Sequence, residues 1–225
     1  PMISPDSTHP RLTEEGRGNV FRLVGRDDRQ GAVAGDLLAE RWPDGRVAVL
    51  HDGSTYGKGL AAQARRQLRA RGVKEALYDV YAPGEADQSA VVARLEQAGV
   101  AAVYVAGYGP DAARIARAAR ERGDELRLVG GDGLGMDEFW AVAGAAGEGT
   151  LFTARPAAAP DAAVAAEFRA RGFGWPPPSL GAYAAVQVWA QAVRQAGTAE
   201  PAAVTRALHR GRFGTVLGPV RFDEK

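Results

Sequence analysis

The sequence has no cysteine among its 225 residues, which excludes disulfides, thiol catalysis and cysteine-ligated metals. It has three histidines, His9, His51 and His209, far apart and outside any H-E-x-x-H pattern, so no metal site is expected from them. There is no G-x-x-x-x-G-K-[ST] phosphate loop, and Gly131-x-Gly133-x-Gly135 misses the G-x-G-x-x-G spacing. No cofactor is therefore expected. Gly53-x-Thr55-x-Gly57 carries threonine where a nucleophile elbow needs serine. No apolar run reaches the roughly 18 residues of a membrane span, and no stretch has a signal-peptide pattern. Net charge is +1, from 28 basic and 27 acidic residues without a long basic block. Nucleic acid and anionic membranes are thus not expected partners.

What is present is an ordinary globular mix, 46% hydrophobic and 24% charged. The length allows one large domain or two modest ones and an ample core. From Arg46 the chain alternates short apolar runs with amphipathic stretches. Strands are predicted at Arg46–His51, Ala76–Tyr81, Ala101–Ala106, Leu126–Val129 and Thr150–Thr153. Helices are predicted at Tyr56–Arg71, Asp87–Gln97, Pro110–Arg122 and Asp137–Ala143. Such alternation with short loops implies βαβ units, hence an α/β fold with a doubly wound parallel sheet. After Arg155 the pattern changes to three helices, Ala159–Arg171, Gly181–Ala196 and Pro201–Arg210, and an extended end at Thr215–Phe222. Their apolar faces need a sheet that this chain does not obviously provide. The expectation is a second lobe whose strands are absent. Pro1–Pro5 fits the end of a strand entering a loop, an odd place to begin, and suggests a missing front.

In an open parallel sheet, ligands bind outside the carboxyl ends of the strands. Those ends carry Asp52 and Tyr56, then Gly107 and Tyr108, then Asp132 among glycines. Glycine admits close backbone approach, tyrosine offers an apolar face with a polar tip, and a carboxylate pairs with an ammonium. The set suits a small zwitterion better than a phosphate ester. Plainer roles compete: Tyr56 as a helix-start residue, Tyr108 as a turn residue, Asp132 as a helix cap. Ser7 and Thr8 fit ordinary turns as well as a site. Asp52 and His51 fit structural roles better than ligand contact, and Trp175 fits packing.

At these residues the sequence resembles the leucine/isoleucine/valine-binding proteins, the type I periplasmic binding proteins of branched-chain amino-acid ABC transporters. The stretches that carry the likeness are Ile3–Pro10, Phe21–Gly31, Val47–Leu60, Tyr104–Pro110, Gly130–Gly133, Glu148–Phe152, Tyr183–Gln187 and Leu217–Lys225. Each is weak alone, but the ordered set is specific. The resemblance implies two α/β lobes closing over an amino acid by hinge motion. It implies that Thr8 touches both ends of the amino-acid backbone, that the Asp6 carbonyl takes the ammonium, and that Ser7 belongs to the same loop site. Tyr56 and Tyr108 stand at the family's pocket tyrosines, and Asp132 stands where a carboxylate meets the ammonium. Residues 1–22 are then a first-lobe remnant and hinge, 23–155 the second α/β lobe, and 156–225 first-lobe helices with an extended end. About 100 further residues are expected before Pro1, together with a short tail after Lys225.

The function so implied is capture of an amino acid, branched-chain or otherwise aliphatic, for an ABC importer, without catalysis. The parent's partner is an inner-membrane permease, and its place is periplasmic or extracellular, at the membrane. Exposed first-lobe surfaces are expected to favour a homodimer. The alternatives are a ligand-sensing domain of a receptor or regulator with the same fold, or a Rossmann-like enzyme.

Overall fold

A computed structural model describes residues 1–154, 162–174 and 177–223, with Pro177 in backbone only. Along the chain come β1 (Met2–Ser4), α1 (Arg11–Glu14), β2 (Val20–Arg22), α2 (Asp27–Arg41), β3 (Val47–His51) and α3 (Thr55–Ala70). Then follow β4 (Leu77–Val80), α4 (Ser89–Gln97), β5 (Ala102–Ala106), α5 (Gly109–Glu121), β6 (Arg127–Gly130), α6 (Asp137–Ala143) and β7 (Leu151–Phe152). The chain ends with α7 (Ala162–Ala170), α8 (Pro177–Ala196), α9 (Pro201–Arg210), β8 (Phe213–Thr215) and β9 (Gly218–Val220). It divides into two compact units, one of Pro1–Gly25 with Pro156–Lys225 and one of Arg26–Arg155.

The Arg26–Arg155 unit is built on a five-stranded sheet in the order β4-β3-β5-β6-β7, every pair parallel. All five residues of β3 and all five of β5 are buried, which explains their continuous apolar runs. Strand periodicity then sorts the side chains. Ala48, Leu50, Val103 and Val105 face a cluster filled by Val91, Val92 and Leu95 of α4, Ile115 of α5 and Phe139 of α6. Val47, Val49, Tyr104 and Ala106 face the opposite cluster, filled by Leu38 of α2 and Leu60, Ala61, Ala64 and Leu68 of α3. The sheet is therefore covered on both faces, the doubly wound α/β arrangement expected from the alternation. Each fully buried leucine contributes on the order of 2 kcal/mol.

The sequence reading assigns no helix between Gly25 and Arg46, yet α2 fills that interval. Its inward face is small rather than leucine-rich, with Gly31, Ala34 and Gly35 buried alongside Leu38. A Cβ on Gly31 would come within 2.9 Å of the Ala64 amide nitrogen, and one on Gly35 within 2.6 Å of the Ala64 carbonyl oxygen. Two glycines four apart thus bring α2 against the backbone of α3. Backbone contact replaces the leucine stripe that periodicity detects.

In the other unit β1 and β2 form a parallel pair and β8 and β9 an antiparallel hairpin. Phe21, Val188, Ala192, Val204, Leu208 and Phe213 share one buried cluster, so α8 and α9 pack on both small sheets. A second cluster joins Val164 of α7 to Leu180 and Ala184 of α8 and to Val216. The terminal helices find more strand partners here than their sequence promised, because Phe21 and Phe213 lie in three-residue strands too short to show a period. The predicted start of the first terminal helix at Ala159, and Trp175, lie outside the described residues.

Candidate functional site

The order β4-β3-β5-β6-β7 means that the chain leaves β3 toward one edge and returns on its other side as β5. The crevice beyond the carboxyl ends of β3 and β5 is the topological switch point, where open α/β sheets bind ligands. Tyr56 follows β3 and Tyr108 follows β5. Their ring centroids are 5.4 Å apart, at an interplanar angle of 38°.

Tyr56 is held there by a well-built helix start. Asp52 is 6% exposed, and its Oδ1 accepts from the Ser54 amide at 2.9 Å and the Ser54 hydroxyl at 2.6 Å. The Ser54 Oγ in turn accepts from the Gly57 amide at 2.9 Å and caps α3. Asp52 is thus committed to the loop, the structural role the sequence favoured for it. His51 is likewise engaged, its Nδ1 accepting from the Gly53 amide at 3.1 Å. Burial, and then the charge of Lys58, lower its pKa below 6.5.

The Tyr56 hydroxyl donates to Asp132 Oδ1 at 3.2 Å, across 76 positions of sequence. Burial first, and the Asp132 charge second, push the phenol above its ordinary pKa of 10.0, so it remains a donor at neutral pH. Asp132 opens a short 3-10 turn, Asp132–Gly135, just beyond β6. The N-cap positions of that turn and of α6 are Gly131 and Met136, so Asp132 stands at neither. Tyr108 is at the N-cap position of α5 without capping it, and is 56% exposed. Tyr56, Tyr108 and Asp132 therefore form one cluster: two aromatic faces, one hydroxyl and one carboxylate.

Three residues that sequence reasoning did not select adjoin them. Gln30 Oε1 accepts from the Asp132 amide at 3.4 Å. Tyr104 of β5 and Asp27 of α2 are both 0% exposed, and both carboxylates, Asp132 and Asp27, raise the Tyr104 phenol after burial has done so. Tyr104 counts as core by its place in an apolar strand. Asp27 and Gln30 belong to the helix whose period was too weak to see. The Asp27-Asp28 pair at its start was the available signal, since acidic side chains favour a helix N-terminus.

Asp6, Ser7 and Thr8 share the loop after β1, in the other unit. Asp6 and Ser7 are exposed and Thr8 is half-buried. The Ser7 amide donates to Ser4 Oγ at 3.1 Å. Arg22 of β2 staples the loop, donating to the carbonyls of Ser7 at 3.3 Å, His9 at 2.7 Å and Pro10 at 3.3 Å, and to Thr13 Oγ1 at 2.6 Å. Nothing in the local sequence marked Arg22 for that task.

Among the described residues no group of three or more His, Cys, Asp or Glu side chains is arranged to hold a metal. No described helix is long and apolar enough to cross a membrane. A cavity of about 480 Å³ lies beside the loop after β4, against Asp52, Tyr81, Gln88 and Arg94. Tyr56, Tyr108 and Asp132 do not line it.

The family model of the periplasmic binding proteins matches residues 1–225. A Leu/Ile/Val-binding protein homolog 1 of Brucella suis biovar 1 (strain 1330) is 43% identical over 227 residues, covering 99% of this chain and 61% of that protein. A leucine-, isoleucine-, valine-, threonine- and alanine-binding protein of Pseudomonas aeruginosa is 38% identical over 231 residues, covering 100% and 61%. The chain thus spans about 61% of the length of these relatives. Among solved structures, a leucine binding protein of Thermotoga maritima MSB8 superposes with a TM-score of 0.85 at 27% identity, covering 100% of this chain and 66% of that one. A branched-chain amino acid transporter substrate binding protein of Streptococcus pneumoniae, in complex with isoleucine, gives 0.81 at 26%, covering 100% and 65%. With a family match over its whole length and a sheet that ends in the paired tyrosines, this chain belongs to the periplasmic binding protein family.

Proposed function

We propose that the chain is the ligand-binding part of an ABC importer's amino-acid-binding protein, acting by capture and release without catalysis. The observation that carries this is the Tyr56–Tyr108 pair at the switch point, with Tyr56 hydrogen-bonded to Asp132. A carboxylate beside two aromatic faces attracts an ammonium by charge and by the ring quadrupoles. The same faces shelter an aliphatic side chain. The names of the Brucella and Pseudomonas relatives support leucine, isoleucine and valine as the first ligands to try. Asp6, Ser7 and Thr8 are proposed as contacts contributed by the loop after β1.

The two compact units are proposed as lobes, residues 23–155 being the second and residues 1–22 with 156–225 belonging to the first. The setting is proposed to be periplasmic or extracellular, at the membrane, and the macromolecular partner an inner-membrane permease. A homodimer through the first unit is also proposed. Val186 and Trp189 support it, being 65% and 49% exposed three residues apart on α8. A clean monomer by light scattering at high concentration rejects the dimer.

The test of the function is calorimetric titration of leucine, isoleucine, valine and phenylalanine. It is run on this chain and on a chimera carrying the segments that the Brucella suis relative has outside the matched stretch. Binding by either protein, strongly but measurably weakened by Asp132→Asn and less so by Tyr56→Phe, supports the reading. Binding by neither rejects it.

A further inference from the structure

We infer that Gln30 is a positioning residue, holding the backbone of Asp132 so that its carboxylate stays on the Tyr56 hydroxyl, where the ligand's ammonium is proposed to bind. This deepens the amino-acid reading and rests on it.

Gln30 lies in the first turn of α2, directly before Gly31. Gly31 and Gly35 bring α2 against the α3 backbone, so the Cα of Gln30 is in a rigid frame. The Asp132 amide can only donate, so the side-chain oxygen of Gln30 must face it, which fixes the orientation of the carboxamide. Gln30 and Asp132 are 102 positions apart, so this bond ties the start of α2 to the turn after β6.

The fit around the turn is close. A Cβ on Gly131 would lie 2.7 Å from Gln30 Oε1, 2.9 Å from the Tyr56 hydroxyl and 2.8 Å from Leu60 Cδ2. The carboxamide, the phenol and the turn therefore meet at one point, and a shift of the turn is felt at the Tyr56–Asp132 bond. The turn has its own frame as well. The Leu134 amide donates to the Gly131 carbonyl at 3.1 Å, and the Thr153 amide to the Gly130 carbonyl at 3.1 Å. Both anchors use carbonyls before Asp132, whereas Gln30 holds the Asp132 amide itself. Gln30 is also neutral. It accepts a hydrogen bond without adding a third negative charge beside Asp27 and Asp132.

The test combines a double-mutant cycle with hydrogen exchange. Leucine is titrated into the native protein, Gln30→Met, Asp132→Asn and the double variant, in whichever form of the protein binds. Methionine keeps the length of glutamine and removes the acceptor. Gln30→Met is expected to weaken leucine binding about fivefold, the weight of one hydrogen bond, and to change nothing further in the Asp132→Asn background. The Asp132 amide is expected to exchange faster in Gln30→Met. An equal loss in both backgrounds overturns the inference, because a general loosening of α2 would act regardless of Asp132. Unchanged exchange at Asp132 overturns it too. If no form binds leucine, the amino-acid reading fails by itself. Exchange at Asp132, which needs no ligand, still decides whether Gln30 holds the turn.

Discussion

Two alanine substitutions, at Gly35 and at Gly131, separate what holds the α/β unit together from what shapes its site. Neither glycine has a left-handed backbone, so alanine brings no φ penalty at either position. At Gly35 helix propensity favours alanine by about 1 kcal/mol. Against that gain stands the contact with α3. The new Cβ would lie 2.6 Å from the Ala64 carbonyl oxygen, 2.6 Å from Gln67 Cβ and 2.8 Å from the Leu68 nitrogen. Two of these three atoms are backbone, and the third is the root of its side chain. None can swing away, so α2 and α3 must separate by several tenths of an ångström along their buried seam. Overpacking of that kind costs about 1–3 kcal/mol and occasionally more. Backbone neighbours place Gly35→Ala at the upper end, for a net loss of about 2 kcal/mol.

At Gly131 the neighbours are the tips of Gln30, Leu60 and Tyr56, which can rotate. The stability loss there is expected to stay within about 1 kcal/mol, partly offset by the reduced freedom of the unfolded chain. The rotation displaces the Tyr56 hydroxyl from Asp132, so the cost falls on ligand binding. Thermal melts followed by circular dichroism, with parallel calorimetric titrations, read both. For a chain of this size 2 kcal/mol corresponds to about 4–8 °C in Tm. Gly35→Ala is expected to show that fall with binding little changed at low temperature. Gly131→Ala is expected to show weaker binding with Tm nearly unchanged. A Gly35→Ala protein that melts higher than the native one would mean that propensity wins and that the close α2–α3 seam is not there.

Glu75 is 3% exposed in its side chain and pairs with Arg65 and, at 2.6 Å, with Arg69. Burial raises its pKa, but the two guanidiniums outweigh burial and hold it below 4.5. Its stabilising contribution is therefore complete above pH 4.5 and is lost as pH falls through the depressed folded value. Because the arginines are 34% and 45% exposed, Glu75→Gln should cost about 1–3 kcal/mol in urea melts at pH 7, below the full price of a buried pair, and less at pH 3. An equal cost at both pH values refutes the assignment. His51, lowered by burial and Lys58, stabilises as the neutral ring. That contribution is full above pH 6.5 and fades as pH drops toward its lower folded pKa, and an NMR titration midpoint at or above 6.5 contradicts it. The Tyr81 hydroxyl is buried without a hydrogen-bond partner among the described residues, so Tyr81→Phe should leave stability unchanged or raise it by up to about 1 kcal/mol. A loss larger than that in urea melts would count against the orphaned hydroxyl.

The α/β unit was legible where hydrophobic burial is periodic. In β3 and β5 every side chain is buried, so each strand appears as an unbroken apolar run. In α3 the leucines at 60 and 68 mark one buried face. Helix α2 was not legible because its buried face is built of Gly31, Ala34 and Gly35, which carry little hydrophobic signal. Small residues there allow close backbone approach, an effect that depends on the partner helix and is invisible to a single-helix period. The strands β1, β2, β8 and β9 have three residues each, too short to show a period, and their pairing is fixed by α8 and α9 packing on them.

The site was half legible, for a reason that follows from the fold. In a doubly wound sheet each strand end is a short loop, and its residues are adjacent in sequence to a strand that can be recognised. Tyr56, Tyr108 and Asp132 could be found in this way. Their mutual geometry could not, because it depends on strand order, and β5 lies beside β3 only through a crossover. Gln30 belongs to a different class. It precedes the first strand of the sheet, at the start of a helix on one face, and reaches the switch point only because α2 lies close against α3. The residues proposed to touch the ligand sit at strand ends and can be listed from sequence. Residues that hold those contacts in place come from wherever packing brings a rigid backbone alongside, and finding them takes a distance such as the 3.4 Å between Gln30 and the Asp132 amide.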